Sequence, residues 1–162
     1  MKKIVPVLLC AFAGFSLFGC GSEFTVGKDV KLEDVTEFYY TCENINYNAD
    51  YLRYHFYVED EKHMFYVERR ERPGDYGPTT EDDITLQGSF ELTDEEWAAF
   101  FDCLKDGTVE KRKEHLEAGG SGPWTFLYWK NDKGDIQEFT FASTEARFGF
   151  EELCEGFEER LK

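Results

Sequence analysis

Three histidines, five cysteines and thirty-four carboxylates carry whatever chemistry this 162-residue chain can do. His55 and His63 are the most inviting metal pair, but a hairpin joining Tyr51–Glu59 to Lys62–Arg70 through Asp60-Glu61 separates them. It pairs His55 with Tyr66 and His63 with Val58, on opposite faces of a sheet, so they do not converge on one ion. His115 lies in a charged stretch and reads as solvated. No histidine has an acid and a nucleophile near it in sequence, so none is assigned a catalytic role. Ser121, in Gly119-Gly120-Ser121-Gly122-Pro123, lacks the final Gly and the entering strand of a nucleophile elbow and reads as loop. Glu81-Asp82-Asp83, Asp94-Glu95-Glu96 and Asn131-Asp132-Lys133-Gly134-Asp135 lack the spaced ligands and terminal Glu of a calcium loop. Loop solvation, pairing with a helix dipole and a hairpin turn account for them. No metal or cofactor is therefore expected. Paired carboxylates could cleave a glycoside, but separation in space decides that, and nothing singles out a pair.

The least ordinary residues are aromatic: sixteen Phe, nine Tyr and three Trp. In a second hairpin, Trp124–Lys130 and Ile136–Ala142, setting Asn131 opposite Asp135 pairs Leu127 with Phe139, Thr125 with Phe141 and Trp129 with Gln137 on one face. Trp124, Phe126, Tyr128 and Ile136 then occupy the reverse face, where polar residues would be usual. Tyr51, Tyr57 and Tyr66 fall on the less apolar face of the first hairpin. Trp124, Phe126, Tyr128, Tyr57 and Tyr66 are therefore the candidate binding residues, suited to stacking on sugars or anchoring a protein. The competing expectation is that Glu71–Asp83 or Val109–Pro123 folds over this face, because large exposed apolar patches are uncommon.

The elements that must position these residues follow from period and punctuation. Val35–Cys42 alternates as a strand with Phe38, Tyr40 and Cys42 on one side, and Glu43–Asp50 has turn composition. In the first hairpin Tyr54 faces Val67 and Phe56 faces Phe65, with Arg53 opposite Glu68 on the other side. Glu71–Asp83 carries Pro73-Gly74 and Gly77-Pro78 and reads as loop; Ile84–Leu92 alternates as a fourth strand. Thr93 and Glu96 form a capping box for a helix presenting Trp97, Phe100, Phe101 and Leu104, ended by Gly107. Thr108–Leu116 reads as a charged edge strand. Ser143 caps a last helix with the stripe Phe150, Leu153, Cys154, Phe157 and Leu161. The order β-β-β-β-α-(β)-β-β-α predicts an α+β two-layer sandwich, a mostly antiparallel sheet of six or seven strands with two helices on one face.

The net charge of -16 repels phosphate backbones, so nucleic acid is not an expected partner. Lys2-Lys3 followed by the uncharged run Ile4–Phe18 reads as a secretory signal peptide. Leu17-Phe18-Gly19-Cys20 resembles the lipobox of bacterial lipoproteins, which implies acylation of Cys20 and cleavage before it. The alternatives are an uncleaved anchor or an ordinary signal cleaved nearby; the order of charged, apolar and cleavage regions favours the lipoprotein. Residues 1–19 are then signal peptide, 20–31 a polar tether and 32–162 a single acidic domain. Cys42, Cys103 and Cys154 remain, an odd number, so one bridge at most closes within the chain. The stretch Gly122-Pro123-Trp124-Thr125-Phe126-Leu127-Tyr128-Trp129, with the Phe-rich last helix, also resembles small uncharacterised bacterial lipoproteins, a likeness that carries no functional residues. The expected protein is a lipid-anchored, non-enzymatic domain of the cell envelope, held to the membrane through Cys20 and binding an envelope protein or glycan. The alternative is an envelope hydrolase using paired carboxylates. Cys20→Ser should leave the domain folded and release it from membranes; a fatty-acid label that still marks the Ser variant would overturn the lipobox.

Overall fold

The first hairpin has the register its side-chain pattern demands. In the computed structural model, which describes residues 25–112, 123–130 and 137–162, β2 (Ala49–Glu59) and β3 (Lys62–Arg72) pair without a break from Ala49–Arg72 to Glu59–Lys62. Both turn residues, Asp60 (φ 49°) and Glu61 (φ 64°), are left-handed, which defines a type I′ geometry built without glycine. Eleven consecutive pairs over-determine the turn and offset the strain of two non-glycine residues there. The strands also run further than turn composition suggested. β1 (Val35–Asn44) ends at a turn in which Asn44 accepts from Asn46 N–H at 3.0 Å and Asn48 adopts φ 60°.

β4 (Ile84–Glu91), β5 (Val109–Lys111), β6 (Trp124–Trp129) and β7 (Gln137–Phe141) complete a seven-stranded antiparallel sheet in the order β4-β3-β2-β1-β6-β7-β5. Two helices join it, α1 (Asp94–Asp102) and α2 (Thr144–Glu158), giving an α+β sandwich-like fold. The second hairpin corrects the expected register by two residues: Thr125 faces Phe139, not Phe141, and Leu127 faces Gln137. Two polar and steric ties hold this register. The buried Thr125 hydroxyl donates to the Phe139 carbonyl, and Phe141 is engaged by Val109 of β5. Because the slip is even, no side chain changes face. The turn expected at Asn131–Gly134 lies outside the described residues, as do Cys20, His115 and Ser121.

Phe56 of β2 gathers the core. It stacks on Phe100 of α1 at 3.9 Å and 10°, and meets Phe150 and Phe157 of α2 at 6.0 and 6.3 Å. Phe38 of β1 meets Phe100 and Phe150 at 5.4 and 5.5 Å. Thr93 and Ser143 cap the two helices, the first through the capping box with Glu96. At the far edge Gly88 leaves room for Leu161; a Cβ there would sit 2.8 Å from a Leu161 methyl.

The core also reaches back into the stretch expected as tether. Val26 and Val30 are 2% and 0% exposed and bridge each other, and the Val26 carbonyl accepts from Asp106 N–H at 3.2 Å. Two valines in an otherwise polar segment suffice to dock it, so the packed domain starts before Leu32. Cys42, Cys103 and Cys154 are all free thiols, Cys154 buried. Among the described residues no helix is long and apolar enough to cross a membrane. Phe157 is 7% exposed against Phe65 at 5.3 Å. Phe157→Ala should therefore cost about 3–5 kcal/mol in a denaturant melt, and an unchanged midpoint would mean that α2 is not docked through this ring.

Candidate functional site

The sheet face away from the Phe56 cluster carries every candidate residue outside the signal region. Register brings them together: Tyr39 pairs with Phe126 on one side and His55 on the other, and His55 pairs with Tyr66. One pair further along, Glu37 lies between Tyr128 and Tyr57. A belt of rings therefore crosses β6, β1, β2 and β3, flanked at one end by Trp124 opposite Thr41. All these side chains are partly buried against one another. The loop 73–80 does not cover them. It packs at the end of the sheet, where Tyr76 meets Tyr47 at 5.3 Å, Gly77 N–H donates to Ile45, and Gly74 N–H donates to Asn48. Of Val109–Pro123, the stretch 113–122 lies outside the described residues.

The ring faces are already in use. Tyr39 and Tyr57 stack on His55 at 4.0 Å and 10° and at 4.4 Å and 19°, which must occupy both faces of the imidazole. Tyr128 meets Tyr39 edge-on at 5.9 Å. The Arg112 guanidinium lies 4.5 Å over Trp124, and Arg53 and Arg70 lie 5.5 and 5.0 Å from the Tyr51 ring. Tyr39, His55, Tyr57, Tyr51 and Trp124 therefore each have a ring face taken by a neighbour.

Its electrostatics centre on Glu68, 7% exposed. Burial would raise its carboxyl, but the Tyr66 hydroxyl, Arg70 at 2.5 Å and the nearby Arg53 outweigh that and hold it below the usual range. Arg53 faces Glu68 in the ladder as expected, yet Arg70 makes the ion pair, and Arg53 Nε is buried without a hydrogen-bond partner. Burial pushes His55 below its ordinary value against the opposing pull of Glu37, whose carboxylate stands 3.6 Å from Nε2. Burial, then a hydrogen bond to Glu37, raises the Tyr39 hydroxyl to about 12, so it stays a donor through the physiological range.

The other candidate groups stay apart from this surface. Glu81–Asp83 form a short 3-10 turn whose Asp83 accepts from Thr80 and faces Arg72 at 3.5 Å. Asp94-Glu95-Glu96 open α1. His63 lies on the opposite face from His55, stacked on Trp97 at 4.4 Å and 5°. Among the described residues no three His, Cys, Asp or Glu side chains gather into a metal site. Compared with known proteins, the chain matches no family model, no curated protein and no solved structure.

Sequence reasoning set His55 on this face beside Tyr66 but named neither it nor Tyr39 as a binding residue. Their parity was readable, since Phe38 and Tyr40 point inward, but the β1–β6 pairing that sets Tyr39 beside Phe126 links residues far apart in the chain. Trp97 and Trp129 are 1% and 7% exposed, while Trp124 is only partly buried. Acrylamide quenching of the folded protein should thus come mainly from Trp124 and fall in Trp124→Phe; undiminished quenching would remove Trp124 from the open surface.

Proposed function

We propose that this chain is an exported, lipid-anchored domain of the cell envelope that binds a partner, without catalysis, through the aromatic face of its sheet. In this reading both helices cover one face of a two-layer sandwich and leave the other to the partner. The contacts of Phe56 with Phe100, Phe150 and Phe157 support that division. The lipobox-like Leu17–Cys20 after a charged and apolar leader supports the anchor. The observation that carries the binding role is the continuous belt Phe126–Tyr39–His55–Tyr66 on the face opposite those rings.

A protein partner is favoured over a glycan. Sugars stack on open ring faces, and here Tyr39, His55, Tyr57, Tyr51 and Trp124 have faces occupied by neighbours. Edges and hydroxyls of Tyr beside Arg are instead the composition that anchors protein interfaces. A photo-crosslinking phenylalanine at Phe126 or Tyr128 should capture a protein in intact cells. The same group at Phe148, 55% exposed on α2, should not give that adduct. Identical adducts from all three positions, or none, would refute the assignment of this face.

A further inference from the structure

We propose that the cleft between the tip of the first hairpin and the start of α1 binds a small organic ammonium ion carried on an aromatic body. This site shares no residue with the belt and does not depend on the envelope reading. The cleft holds about 510 Å³, within the range of small-molecule sites of roughly 300–1,000 Å³. Leu32 and Val58, the latter 39% exposed, give it apolar walls, with Val35 and Trp97 buried behind them. The His63 ring lies flat on Trp97 at 4.4 Å and 5°, forming a planar wall of the kind an aromatic guest packs against.

Charge selects the guest. Among the described residues, Glu33, Glu61 and Asp94 line the cleft against one cation, Lys130. Asp94 also lies 3.4 Å from His63 Nδ1. The N-terminus of α1 opens nearby and would favour an anion, but its Glu96 and Trp97 N–H groups are engaged by Thr93, and Asp94, Glu95 and Glu96 offset its dipole. A guest with one positive charge is therefore drawn in, and an isosteric anion is repelled. The groove at the other end of the same hairpin is a useful contrast. Its Arg69, Arg70 and Arg72 are each paired, with Glu158, Glu68 and Asp83, so none of these cations is left to select an anion.

The test uses phenethylammonium and 3-phenylpropionate, which share a phenylethyl body and differ in charge, titrated into the folded domain and followed by amide NMR. Phenethylammonium should shift Leu32, Val58, Glu61, His63 and the Trp97 indole saturably and leave Tyr39, Phe126 and Tyr128 unmoved. The anion should bind at least about tenfold more weakly, since reversing a charge beside exposed carboxylates changes affinity by that order. Glu61→Gln with Asp94→Asn, both on exposed side chains, should bring the two probes to within about threefold of each other. Equal binding of both probes, shifts centred on the aromatic belt, a cation affinity untouched by the double variant, or no saturable shift would each overturn the proposal.

Discussion

A carboxylate left 3% exposed has to be paired, and Glu158 is paired twice. Arg69 donates to it from Nε at 2.8 Å, and so does the Tyr54 hydroxyl, also at 2.8 Å. Burial, reinforced by the nearby Cys154 and by Glu158, drives the Tyr54 hydroxyl far above its ordinary value, so it remains a donor. Two helical turns earlier the arrangement recurs: the Tyr40 hydroxyl donates to Glu151. Tyr40 and Tyr54 face each other across β1 and β2. Two tyrosines side by side on the sheet thus hold two carboxylates in line on α2. That fixes both the rotation of the helix and its position along the strands. Phe150, Cys154 and Phe157, on the same stripe, are carried into the core by this placement.

The face that carries Tyr39 and His55 has to solve its own solvation. It does so by packing rings against each other and arginines against rings, which removes apolar area from water without a covering segment among the described residues. The cost is borne by groups such as Arg53 Nε and His55 Nε2, buried there without hydrogen-bond partners among the described residues.

Local rules made much of this legible. Alternation and charge pairing set the first hairpin to the residue, and the Thr93–Glu96 capping box and the Ser143 N-cap located the two helix starts because such caps need only four consecutive residues. The second hairpin was misread by two because its register is held by a Thr125 hydroxyl bond and by β5, and neither is visible in turn composition. The faces survived because the error was even. The docking of Val26 and Val30 was hidden for a related reason, since their partners lie at the end of α1, about eighty residues on. The cleft is the extreme case: Leu32, Val58, Asp94 and Lys130 come from four separated segments, so no spacing announces it.

If Cys20 is acylated as proposed, the docking of Val26 sets how far the domain can stand from the lipid. Val26 is the sixth residue after Cys20, and a chain of that length reaches at most about 20 Å when fully drawn out. With the proposed acylation of Cys20, the domain would ride directly on the lipid headgroups instead of swinging on a long leash. Its orientations would be restricted by contact with the bilayer, and a partner would have to approach from within the same thin layer.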